Sequence, residues 1–252
     1  MAVDLQDAEI EYILAEDAPA KIAYNVLVPD TSLEESANIS VAAKVTIGEE
    51  EFETNAVEVE LNVPLKMPEG ALVFQIADPM DDVEEELNNN GNMYMDSSDL
   101  ELAWDGDTEQ MIGLRFNEIN VPAGAKVAEA YVLFTVDETK SSKNVNPFNL
   151  DIVGEKVANS AAFEAVENNL SDRDKTEAKV NWADIPEWTK EGNSNKDQLT
   201  PNLASIIQEI IDQDGWAEGN SLSIFMSGEG VRCADAYEDD PATAAKLIIV
   251  LE

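Results

Sequence analysis

Histidine does not occur anywhere in these 252 residues. Ser-His-Asp and Cys-His catalysis and His-ligated zinc are therefore closed to the chain. A single cysteine, Cys233, rules out a disulfide within it. That residue lies in the strand-like run Gly230-Val231-Arg232-Cys233-Ala234-Asp235 and reads as a small buried hydrophobe, not a reactive thiol. Basic residues are scarce: 15 Lys and Arg stand against 53 Asp and Glu, a formal net charge of -38. Such a surface repels phosphate backbones and anionic headgroups, which argues against nucleic acid and membrane as partners. No apolar run approaches the ~18–20 residues that a bilayer span needs. The opening Met1-Ala2-Val3-Asp4 has neither the basic nor the apolar region of a signal peptide. Strand-like sequence from residue 3 onward instead suggests a piece of a longer secreted chain, extracellular or at the cell surface.

What is present is a folded, acidic, β-rich protein. Hydrophobic residues make up 44% of the chain, too many for disorder. The acidity has two readings, a solubilising surface for salty surroundings or a set of cation ligands. At ~0.15 M salt the Debye length is only ~8 Å, so much of the self-repulsion is screened. Period-two alternation predicts half-buried strands at residues 7–14, 21–28, 38–47 and 57–64, which suggests a small Ig-like β spacer over 1–67. Met67-Pro68-Glu69-Gly70 breaks the pattern, and a second unit is expected over 71–252. Its short strands and polar loops predict an all-β, jelly-roll-like two-sheet β-sandwich. The arms Met111–Phe116 and Ala130–Val136, apolar on both faces, are expected as its central antiparallel pair. Asn88-Asn89-Asn90-Gly91 signals a hairpin turn. One flanking α-helix is predicted over about 200–214, with Thr200 as cap, Pro201 in the first turn and Gly215 as stop. Leu203, Ile206, Ile207, Ile210 and Ile211 would form its single apolar stripe.

Two residue sets could carry function. Tryptophan packs equally well in a core or against the C–H face of a sugar ring, so Trp104, Trp182 and Trp188 are candidate ligand platforms. Trp188 and Trp104 are the better placed, since both sit beside loop residues. Arg173 and Arg232 could fork onto a ligand carboxylate or sulfate, whereas Arg115, a lone cation among apolar neighbours, calls for a carboxylate partner. The second set is acidic. Asp81, Asp82 and Glu84 open the second unit, and Asp239 and Asp240 precede its last strand. If first and last strands are neighbours, these groups converge on one hard cation, and calcium, which takes six to eight oxygens, is the expected cofactor. Paired carboxylates for glycoside hydrolysis are not singled out, because acids are everywhere.

From about Asp81 to Leu251 the order of landmarks resembles bacterial extracellular β-sandwich accessory modules of the DNRLRE and carbohydrate-binding type. The matching stretches are Asp81-Asp82-Val83-Glu84-Glu85, Ile112-Gly113-Leu114-Arg115-Phe116, Val121-Pro122-Ala123-Gly124-Ala125 and Val180-Asn181-Trp182. Trp188, Gly215-Trp216-Ala217-Glu218-Gly219-Asn220 and Gly228-Glu229-Gly230-Val231-Arg232 complete the series. The resemblance implies a jelly-roll-like fold, secretion and a non-catalytic role, and it covers nothing before residue 71. The expected function is thus polysaccharide binding through loop aromatics and polar residues, stiffened by calcium. The alternative is a building block of a surface adhesin, S-layer or filament. Its partners would be neighbouring surface-protein domains or further copies of itself, joined through β-strand contacts.

Overall fold

The computed structural model describes residues 65 and 67–252 in full. Before them it describes the backbone of four strands, β1 (Ala37–Val41), β2 (Lys44–Ile47), β3 (Glu50–Glu53) and β4 (Val57–Leu61). Strand β1 pairs with β4 and β2 with β3, both antiparallel. The strands expected at 7–14 and 21–28 lie outside the described residues, and with them most of the Ig-like unit.

The chain then continues through β5 (Leu72–Gln75), β6 (Asp82–Glu86), β7 (Asn92–Tyr94), β8 (Asp99–Leu102) and β9 (Trp104–Asp105). Next come β10 (Thr108–Phe116), β11 (Val127–Leu133), β12 (Asn144–Glu155), β13 (Lys175–Trp182) and helix α1 (Ala204–Ile211). Strands β14 (Leu222–Asp235) and β15 (Lys246–Leu251) close it. The larger sheet runs β13-β12-β14-β10-β6-β7, with β8 on the far half of β14 and β9 on β10. The smaller sheet is β11-β15-β5. Ile112, Leu114, Leu150, Ile152, Ile224 and Met226 from the first meet Ala130, Val132, Leu247 and Ile249 from the second in one fully buried cluster. The protein is an all-β two-sheet sandwich with one flanking helix.

Three local expectations change. The apolar arms at the middle of the chain are both interior, but they do not pair: β10 lies between β14 and β6, while β11 pairs with β15 in the other sheet. Apolarity on both faces reports burial, not partnership, and the connection over residues 117–126 exceeds the roughly 2–5 residues of a tight hairpin. The helix is shorter than predicted. Thr200 does not cap it, because its Oγ1 accepts a hydrogen bond from Val132 N at 2.9 Å. Asn202 Oδ1 is shared between Ala130 N and Ala204 N. Residues 198–203 are thus tied to the open edge of β11, and the helix starts after them. Its five-residue apolar stripe is buried as expected. The third change concerns Asp82-Val83-Glu84-Glu85-Glu86, which is a strand whose residues are all buried. It turns into β7 at Asn90 and Gly91, both at positive φ, as the Asn-Gly signal predicts. Among the described residues, no helix is long and apolar enough to cross a membrane.

Candidate metal centre

Strand β6 places four carboxylates inside the protein, and each anion must find donors there, since a buried unpaired charge is costly. Three of the four are fastened to neighbouring segments of the same domain. Glu85 Oε2 accepts from Leu170 N and Ser171 N at 2.6 and 2.9 Å, pinning the segment that covers this face. Glu86 Oε2 accepts from Asn89 and Asn92 side chains and closes the turn. Glu84 Oε1 accepts from Glu101 N at 2.8 Å. Asp82 Oδ2 accepts from Tyr237 N at 2.9 Å, which brings the loop before β15 against the start of β6. Just before the strand, Asp81 is taken up by Arg115 Nη1 at 2.7 Å and by the Asn117 amide. Arg115 therefore has the carboxylate partner its surroundings required.

Around these residues the strand register builds a wider acidic end. In the β8–β14 pair, Glu101 stands opposite Cys233 and Asp99 opposite Asp235. The side chains of Asp99, Glu101 and Cys233 bring one ligand atom each to within 4.8 Å of one another, as do those of Asp137, Asp235 and Asp239. Both groups are geometrically able to hold a metal ion. They differ in what already neutralises them. In the first, Lys143 Nζ bonds Glu101 and lies 3.3 Å from Asp105, and the Cys233 thiol donates to Asp99 Oδ2 at 3.0 Å. A lysine ammonium occupies the place of a cation there. In the second, the Cys233 thiol lies 3.6 Å from Asp137 Oδ2, Thr243 bonds Asp235, and the exposed Lys140 bears on Asp137 only through its charge.

Burial dominates the proton affinities of this end. It pushes the Asp82 carboxyl up to about 7 against the Tyr237 hydrogen bond, with the charge of Glu238 adding to the rise. It pushes Asp235 up to about 6, with Asp137, Asp239 and Asp240 adding. Glu84 is raised well above the ordinary range by burial and by the charge of Glu101 beside it. Asp137 and Glu238 are also raised, by burial first. Burial likewise pushes the Cys233 thiol upward, which makes it a protonated donor and not a nucleophile.

Of the residues singled out as metal ligands, Asp82 and Asp239 belong to this end with carboxylate oxygens available. Asp81 is consumed by Arg115, Glu84 by Glu101, and Asp240 Oδ1 caps a turn through Ala242 N. The five do not converge on one point. Glu238 lies in the acidic run with Asp239 and Asp240 from which a cation ligand is expected, whereas Asp99, Glu101, Asp137 and Asp235 are the members that the sequence did not single out. Their only signal was alternation, Asp99 with Glu101 and Cys233 with Asp235, which puts each pair on one face of a strand.

The side chains expected as a ligand platform are largely engaged within the protein. Trp182 and Trp188 are buried against Phe134, with ring centroids at 6.2 and 6.4 Å, and Trp188 Nε1 donates to Asp197 O. Trp104 is half-buried and its Nε1 donates to Gly228 O at 3.0 Å. Arg232 is fully buried and gives its donors to the carbonyls of Val145, Ile185, Pro186 and Val231 and to Asn146 Oδ1. Arg173 holds Glu155 and the carbonyls of Ala161, Ala162 and Asn169, with Phe163 beneath its guanidinium. Loops that looked open in the sequence are folded onto Trp182, Trp188 and Arg232, and Arg173 spends its donors within the protein.

Fold and site together define an all-β sandwich with a carboxylate-rich end and with Trp182, Trp188 and Trp216 in the core. No protein-family model matches the chain, and no curated protein matches it.

Proposed function

We propose that this sandwich is a non-catalytic structural module of an extracellular or cell-surface protein, held together at its acidic end by calcium. The observation that carries the reading is the Asp137–Asp235–Asp239 group, three carboxylates with ligand atoms within 4.8 Å of one another, close enough to share one ion. They come from the segment after β11, the end of β14 and the loop beyond it, so one ion would tie together segments remote in sequence. An all-oxygen site of this kind suits a hard cation, and calcium tolerates its irregular geometry better than magnesium. The resemblance to secreted accessory modules points to the same surroundings, where calcium is plentiful, and to neighbouring surface domains or further copies as partners.

Calcium at ~100 times its dissociation constant would stabilise the fold by roughly 2.7 kcal/mol. Thermal melts with calcium and with EDTA at equal ionic strength read this directly; superimposable curves would refute the reading.

Polysaccharide binding is the second reading, and one observation favours it. A cavity of about 330 Å³ is lined by Thr139, Ser141, Asn144, Glu187, Trp188 and Thr189, a set of hydroxyl, amide and carboxylate groups suited to a sugar. It ranks second because the Trp188 ring is packed on Phe134. Affinity electrophoresis over a panel of neutral glycans with calcium present tests it, and no retardation by any of them removes it.

A further inference from the structure

Not all of the buried carboxylate oxygens near β6 are satisfied. Asp82 is 3% exposed, and while its Oδ2 accepts from Tyr237 N, its Oδ1 has no hydrogen-bond partner. Both carboxylate oxygens of Glu238, the residue after Tyr237, are also buried without a partner. The charge of Glu238 raises the proton affinity of Asp82, and Asp78 and Asp96 bear on Glu238. The nearby guanidinium of Arg115 is engaged by Asp81, Ser160 O and Ser221 Oγ. Three orphaned anionic oxygens, on Asp82 and on the residue that follows its hydrogen-bond donor Tyr237, are costly as they stand and are what a divalent cation requires.

We infer that Asp82 Oδ1 and the Glu238 carboxylate hold a second calcium ion, separate from the one at Asp137, Asp235 and Asp239. The inference rests on the calcium reading of the acidic end and adds a buried site to it. Glu238 can supply two oxygens and Asp82 one, and solvent would complete the six to eight that calcium takes. The ion would act as a latch. It fastens the start of β6, at one end of the domain sequence, to the loop that precedes the last strand.

Calcium binding to the full metal-free chain, counted by equilibrium dialysis, separates the two sites. The expected count is two ions per chain. Asp82→Asn and Glu238→Gln should each leave one ion, and the double variant Asp137→Asn, Asp239→Asn should leave the other. One ion lost only in that double variant, and retained in Glu238→Gln, overturns the second site while the first stands. No ion at all overturns both. Thermal melts give an independent reading that does not depend on the count. Without calcium, Asp82→Asn should melt at or above the unaltered chain, since a buried anion is replaced by a neutral isostere, and its gain on adding calcium should be reduced. A variant equally destabilised with and without calcium would show Asp82 to be only the acceptor for Tyr237 N, and the latch would be overturned.

Discussion

Arg232 shows how much a single buried residue can organise. Its guanidinium is spent on backbone carbonyls, above the Phe148 ring at 4.7 Å, and it binds the 185–187 loop and the start of β12 to β14. Arg232→Met fills most of the volume but strands those carbonyls, each costing ~1–3 kcal/mol when unsatisfied. A total loss of about 3–5 kcal/mol is expected from denaturant unfolding. Trp188→Ala should cost a similar ~3–5 kcal/mol, as for large aromatic deletions in cores. A tryptophan serving as an open sugar platform would be removed with little change in stability, so the melt of this variant distinguishes the two roles. Lys143 tests the internal counter-ion. Lys143→Met leaves Glu101 unpaired beside Glu84, and about 2–3 kcal/mol should be lost at pH 8. That is below the ~3–5 of a fully buried pair, since 18% of the lysine side chain is exposed. As pH falls the loss should shrink, because burial raises both glutamates and they take up protons sooner than ordinary carboxylates.

At the scale of elements, β6 is an acidic strand in a buried position. Its register opposite β10 sends Asp82, Glu84 and Glu86 to one face, and Glu85 with Val83 to the other. Val83 joins a small second core with Met95, Phe163, Leu170 and Phe225, while Glu85 ties down the backbone that carries Leu170. Glu85→Ala should therefore loosen that cover selectively. Amide exchange at Leu170 and Ser171 is expected to accelerate by at least ~10-fold, with amides of β12 and β14 unchanged; uniform acceleration would mean global destabilisation instead. The edge of β11 shows the opposite use of side chains. Val127 N, Ala130 N and Val132 N donate to Gln208, Asn202 and Thr200, so that edge is closed to strand addition. The same polar residues that resemble helix-start signals in the sequence are here spent on covering a sheet.

For the molecule as a whole, carboxylates with raised proton affinity set the pH dependence. Asp82, at about 7, and Asp235, at about 6, bind protons more tightly in the folded chain than in the unfolded one, as do Glu84 and Glu101. Between the unfolded values near ~4 and these folded values the native state holds the extra protons, so stability falls as pH rises through that window. Asp151, lowered by Lys179, works the other way and loses its contribution only when pH falls through its own depressed value. The metal-free protein should accordingly melt higher at pH 5.5 than at pH 8 at fixed ionic strength. Calcium should flatten the difference by replacing protons as the neutralising charge. A melting temperature that drops steadily from pH 8 to 5.5 would contradict the assignment of these groups as carboxylates whose proton affinity burial raises.

Local properties were readable in the sequence. Alternation and turn residues specify an all-β chain, Asn90-Gly91 marks the β6–β7 turn, and the isoleucine stripe marks a helix, because each depends on neighbours a few residues away. The absence of histidine restricts the chemistry without any coordinates. Only the tertiary structure decided that β10 and β11 lie in different sheets, that Trp182 and Trp188 are core, and that an Asp-Val-Glu-Glu-Glu run is a buried strand. The physical reason is distance along the chain. Whether a carboxylate can be buried depends on the donor that meets it, and for Asp82 that donor is the Tyr237 amide, 155 residues away.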